Sequence, residues 1–312
     1  MSNTTTIPNI DLHCHLDGSL TLSSVQDILN RPIKLTELQV PITCESLAEY
    51  LECFHLPLEC MQTEQGLEYV SYHFMESLLS DNMGYIEVRF APILSTIHGL
   101  TGEQVVDAVL KGLNRGREDF GIDYQVILCT MRHHPLPLNL EVLKLAKKYL
   151  GKGVCAVDIA GSEADYPMSL FRQLFLQASI WKLPFTIHAG ECGNVDNILE
   201  AIELGATRIG HGIAMSGNQE AISLCRERQV AIEMCPTSNM QTKAVTDIKK
   251  YPLREFLEEG LLVTINTDNR TVSNTTMENE YDFIRKNCGI TEQEIMLLKF
   301  NAMKAKFSTN PL

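Results

Sequence analysis

PFTIHAGECGNVDNILEAIELGATRIGHG, residues 184–212, carries the pattern that decides the fold. The run from Pro184 to His188 is short, apolar and bounded by turn residues; Val195 to Leu204 follows a helical pattern; Arg208 to His211 is strand-like again. Strand, helix and strand in that order make a βαβ unit, whose two strands run parallel. The alternation continues on both sides. Upstream runs are Ile7 to His15, Gly84 to Phe90, Tyr124 to Cys129 and Val154 to Ala160, and downstream ones are Val230 to Cys235 and Leu261 to Thr267. Helical patterns at Gly102 to Phe120, Asn139 to Leu150, Met168 to Trp181, Asn218 to Glu227 and Leu253 to Glu259 fall between them. Eight such strands predict an α/β fold, a single (β/α)8 TIM barrel. An open doubly wound sheet usually has fewer strands and a glycine-rich phosphate turn after the first, and no such turn is present.

The 312 residues suit one barrel domain spanning 1–312. A net charge of −13 argues against a nucleic-acid or anionic-membrane partner, because both demand clustered Lys and Arg. A small neutral ligand fits that charge. No export signal and no long apolar span is visible, so a cytoplasmic protein is expected, with its ten scattered cysteines reduced. Residues 16–82 separate the first two strands, read as mostly helical, and are expected to cover the barrel mouth. Phe54, Leu56, Leu58, Met61 and Phe74 are the candidates there for an apolar lid.

His13 and His15 end the first strand, and strand alternation puts both imidazoles on one face with Cys14 on the other. Two neutral imidazoles on one face are able to share a metal. His188, His211 and Asp268 end the fifth, sixth and eighth runs. In a barrel all strand carboxyl ends open onto one face, where active sites lie, so five ionisable side chains converge. His55, His73, His98, His133 and His134 have no such placement and are read as surface or packing residues.

Seven stretches together resemble the adenosine deaminase family of the metal-dependent amidohydrolase superfamily. They are Asp11-Leu-His-Cys-His-Leu-Asp-Gly18, Tyr85-Ile-Glu-Val-Arg-Phe90, Asp158-Ile-Ala-Gly161, His188-Ala-Gly-Glu191, Arg208-Ile-Gly-His-Gly212, Glu233-Met-Cys-Pro-Thr-Ser-Asn239 and Asn266-Thr-Asp268. The resemblance covers nearly the whole chain. It implies zinc-dependent hydrolytic deamination of adenosine and 2′-deoxyadenosine to the inosine nucleosides and ammonia. It implies further that His13, His15, His188 and Asp268 hold one Zn²⁺ and leave a position for water. The binuclear subclass places a carboxylated lysine at the end of the fourth strand, where this chain reads Val154-Cys-Ala-Val-Asp-Ile-Ala160.

In that family pattern His211 stands beside the metal as base or electrostatic stabiliser, and Glu191 is the acid that protonates purine N1. Gly161 is implied as a backbone contact to N3, and Asp17 as the carboxylate that meets the ribose. Ser238 and Asn239 hold the architecture. Two positions depart from the common pattern. Asn269 stands where many members have a second aspartate that serves purine N7, and Arg270 replaces the usual proline. A carboxamide always carries N–H donors, so Asn269 remains able to serve N7. The alternatives are deamination of adenine or aminodeoxyfutalosine, and a zinc-binding protein without catalysis.

Overall fold

The computed structural model describes residues 7–192 and 194–307. Its eight strands are β1 (Asn9–His15), β2 (Met83–Phe90), β3 (Asp123–Met131), β4 (Val154–Ala160), β5 (Thr186–Ala189), β6 (Arg208–His211), β7 (Ala231–Met234) and β8 (Leu262–Ile265). Each falls on one of the eight runs, with ends displaced by at most two residues. They form two parallel sheets, β1-β2-β3-β4 and β5-β6-β7-β8. Two parallel bridges, Val157 to Phe185 and Cys14 to Asp268, join the sheets at both seams and close the ring. At the second seam the Asp268 N–H donates a hydrogen bond to the His13 carbonyl at 2.8 Å and the His15 N–H donates one to the Asp268 carbonyl at 2.6 Å. Closure therefore brings the end of β1 against the segment after β8.

The connection between β1 and β2 is helical, as expected, and only part of it lies toward the barrel mouth. It contains α1 (Leu22–Leu29), α2 (Leu47–Leu51), α3 (His55–Cys60) and α4 (Glu64–Ser77). Helix α4 packs along α5 (Gly102–Phe120) as an outer barrel helix. Two glycines of α5 permit that approach: a Cβ on Gly112 would stand 2.2 Å from the Glu68 carbonyl oxygen, and one on Gly116 2.4 Å from Met75 Cβ. Phe74, on the buried stripe of α4, joins the main apolar core, as does Met61; Leu56 packs against it. These three are not lid residues.

The remaining crossover helices are α6 (Leu136–Tyr149), α7 (Arg172–Ile180), α8 (Val195–Glu203), α9 (Gln219–Arg228), α10 (Pro236–Gln241) and α11 (Leu253–Glu258). Two helices beyond the sequence pattern follow β8: α12 (Met277–Cys288), capped by the Thr276 side chain, and α13 (Glu292–Ala305), capped by Thr291. Helix α13 packs on β1 and β8, and Asn301 donates a hydrogen bond to the Val263 carbonyl at 2.9 Å. All ten cysteines are unpaired, and only Cys192 is exposed. Among the described residues no helix is long and apolar enough to cross a membrane.

The barrel interior is charged beneath its upper rim. Arg89 on β2 contacts Asp158 of β4 at 2.7 Å and Glu233 of β7 at 2.9 Å. Arg208 at the start of β6 meets Glu233 at 2.6 Å and Glu87 of β2 at 2.6 Å. All five groups are buried. Buried charges persist only when each is paired and hydrogen-bonded, and here cations and carboxylates alternate through the ring.

Candidate active site

Strand β1 delivers His13 and His15 to one face, while Cys14 turns into the apolar core. His13 is fully buried, and its Nδ1 lies 2.8 Å from Glu233 Oε2, so the ring's proton sits on Nδ1. Its Nε2 has no hydrogen-bond partner and points at Asp268 Oδ1, 3.5 Å away. A buried imidazole lone pair without a donor is costly unless an electron acceptor fills the gap. His188 on β5 repeats the arrangement: Nδ1 is 2.8 Å from Asp158 Oδ2, at an angle too bent for a good hydrogen bond, and Nε2 faces the site. His15 Nε2 stands 3.1 Å from His188 Nε2 and 3.5 Å from Asp268 Oδ1.

These donor–donor distances suit one ion. A tetrahedral site with metal–ligand bonds of about 2.0–2.1 Å has edges of about 3.3 Å. Asp268 contributes Oδ1 because Ser238 donates to Oδ2 at 2.5 Å. Ligand atoms of His13, His188, His211 and Asp268 also lie within 4.8 Å of one another. The residues thus fit a divalent metal, with three imidazoles and a carboxylate as donors and two further carboxylates behind the imidazoles.

Burial alone would raise the carboxyls behind the rings. For Asp158 it is outweighed by His188 and Arg89, and for Glu233 by Arg89 and Arg208, so both are held well below the usual carboxylate range. Burial pushes His15 well below its ordinary value, which favours the neutral ring a metal requires.

His211 ends β6 at φ +65°, and Asp268 has φ +60°. Non-glycine residues seldom adopt this left-handed backbone, and two of them at one site mark conformations imposed by the surroundings. The Asn239 side-chain amide donates to His211 Nδ1 at 2.9 Å, while its own oxygen accepts the Tyr251 hydroxyl at 3.2 Å. With Nδ1 accepting that bond, Nε2 is the ring nitrogen turned toward the cavity, and it faces Glu191 Oε2 at 3.7 Å.

Above this cluster lies a cavity of about 350 Å³, within the range of small-molecule sites. His15, His188, Glu191, His211 and Asp268 reach its wall; His13 lies behind them. Asp17, Gly161 and Asn269 line it as well. Thr21, not Asp17, caps α1, which leaves the Asp17 carboxyl free to face the cavity; burial raises it to about 7. Gly161 has φ +107°, and an added Cβ would meet Arg132 Cβ only at an ordinary contact distance of 3.6 Å, so backbone conformation rather than crowding calls for glycine. Arg270 turns away to pair with Asp81 at 2.8 Å.

Of the expected lid residues, Phe54 and Leu58 line the cavity, joined by Leu47, Tyr50 and Leu51. His133, read from sequence as a surface or packing residue, stands at the cavity wall just beyond β3. Sequence offered no signal for it, since it follows its strand by two residues. No Lys or Arg among the described residues lines the cavity.

Comparison with known proteins gives the family and the fold. The Adenosine deaminase family model matches residues 8–311. An adenosine deaminase from Enterococcus faecalis is 42% identical over 310 residues, covering 96% of this chain and 92% of that protein. An adenine deaminase from Arthrobacter aurescens superposes with a TM-score of 0.87 at 24% identity, covering 98% of this chain and 95% of the other. An amidohydrolase from Burkholderia ambifaria with bound zinc superposes with a TM-score of 0.86 at 20% identity, covering 97% and 86%. From its barrel, its cluster of imidazoles and carboxylate, and this relationship along nearly its entire length, the chain belongs to the adenosine deaminase family.

Proposed function

We propose that the protein hydrolyses adenosine and 2′-deoxyadenosine at C6, releasing ammonia, with one zinc ion held by His13, His15, His188 and Asp268. The observation that carries this reading is the meeting of Glu191 and His211 beside the donor atoms of His13, His15, His188 and Asp268, at the floor of a largely apolar cavity. Zinc bound there supplies a Lewis acid that lowers the pKa of water from about 16 towards 7. The zinc-bound relative from Burkholderia ambifaria supports the choice of metal.

The side chains do the rest. Glu191 gives a proton to N1 of the purine, which lets C6 accept an oxygen without stranding negative charge on the ring. His211 presents Nε2–H to the attacking oxygen and acts as a stabiliser, a role favoured over base by the Asn239 hydrogen bond at Nδ1. One proton of the consumed water replaces the Glu191 proton, and the other leaves with the amine as ammonia. Gly161 offers its backbone N–H to N3, Asn269 its amide to N7, and Asp17 its carboxyl to the ribose. Among the described residues no Lys or Arg lines the cavity to meet a phosphate, which favours a nucleoside over a nucleotide.

An ultraviolet assay of adenosine and deoxyadenosine with zinc-replete protein tests this. Conversion to the inosine nucleosides is expected. Failure of both, with turnover of adenine or aminodeoxyfutalosine instead, would move the reaction to another aminopurine.

A further inference from the structure

Glu163 is buried just beyond β4, two residues past Gly161. Its carboxylate straddles the segment that carries Glu191. Oε2 accepts the Gly190 backbone amide at 2.8 Å and the Asn197 side-chain amide at 2.8 Å, while Oε1 accepts the Cys192 backbone amide at 2.6 Å. The two backbone donors belong to the residues immediately before and after Glu191. Strand β5 ends at Ala189 and α8 begins at Val195, and among the described residues between them none belongs to a strand or helix. Gly190, at φ +74°, turns the chain out of the strand. Backbone N–H groups in such a loop are left to side chains, and one carboxylate takes two of them.

We propose that Glu163 is a positioning residue for the deamination. By holding the amides on both sides of Glu191 it sets where the Glu191 carboxyl stands against purine N1. Because it follows Gly161 by two residues, one short segment governs both the N3 and the N1 edges of the ring. The inference rests on the roles given above to Glu191 and Gly161. A displaced acid lowers the rate steeply even when substrate still binds.

Glu163→Gln keeps the volume and removes the second acceptor, so in either amide orientation an –NH₂ faces an N–H donor. The expected result is a fall in kcat of about ten- to hundredfold with KM changed by less than about threefold, and zinc content unchanged. In a Glu191→Gln background the same substitution should cost less than about twofold, because the group it positions is gone. Binding gives a readout without turnover. Purine riboside, which keeps N1, should bind the variant about tenfold more weakly, and 1-deazaadenosine, which lacks N1, about equally well.

Equal losses in both backgrounds, or equal weakening of both ligands, would mean that Glu163 only supports the fold and would overturn the proposal. Intact turnover in the Glu191→Gln single variant would instead remove the role of Glu191, and this inference with it. Should Glu163→Gln be too unstable to purify, Glu163→Asp, which keeps the charge and shortens the reach, goes through the same comparison with the same outcomes.

Discussion

His13 Nδ1 lies 2.8 Å from Glu233 Oε2, and this contact turns the opposite ring nitrogen toward Asp268. Carboxylates behind metal-binding imidazoles fix the tautomer and raise ligand basicity, and their loss commonly weakens metal binding about 10–100-fold. Glu233→Gln should therefore bind zinc more weakly by that factor, measured by competition with a chromophoric chelator. Unchanged affinity would show that the orienting contact contributes nothing.

Chelation should abolish deamination and lower the melting temperature, with zinc restoring both. Metal at a hundredfold excess over its Kd adds about 2.7 kcal/mol to stability, enough to move Tm by several degrees. Calorimetry of chelated and zinc-reloaded protein reads this shift. Equal melting temperatures would place the ion elsewhere or nowhere.

Asn269 packs directly over Gly18, where an added Cβ would fall 1.8 Å from Asn269 Oδ1. Asn269→Ala should reduce kcat/KM roughly ten- to hundredfold, the loss of one hydrogen bond in a dry site at about 1–3 kcal/mol. Gly18→Ala should give a comparable loss by displacing the amide. Both variants should keep their zinc. A kcat/KM equal to wild type for Asn269→Ala would remove the N7 contact.

Glu280 is fully buried and burial pushes its carboxyl to about 7, although Thr237 and Thr275 donate to it. A group with a raised folded-state value contributes stability below its unfolded value and loses it as pH climbs through the folded one. The interval from the usual 4.5 to about 7 corresponds to roughly 3 kcal/mol at most. Wild-type stability relative to Glu280→Gln should thus decline between about pH 4.5 and pH 7, followed by urea unfolding of zinc-saturated protein. A difference independent of pH would show that Glu280 titrates normally.

The barrel was legible because strand runs and helical runs alternate along the chain, and periodicity is a local property. His15, His188 and His211 could be grouped for the same reason: each closes a strand run, and parallel strands in a closed barrel share one rim. Lid assignment was less readable. Leu56, Met61 and Phe74 have the same chemistry as Phe54 and Leu58, and only packing against α5 and the core separates the two sets. Glu163 and Tyr50 left no local mark, since a glutamate after a strand and a tyrosine in a short helix are ordinary in many settings.

The order of strands and the rim on which the imidazoles gather follow from the amino-acid sequence alone, because alternation and helical spacing are written between near neighbours. Which carboxylate stands behind which ring, which amides Glu163 holds, and the direction of His211 were decided by ring closure and packing. Those contacts join residues tens to hundreds of positions apart, and their free energy depends on distances that no stretch of chain encodes by itself.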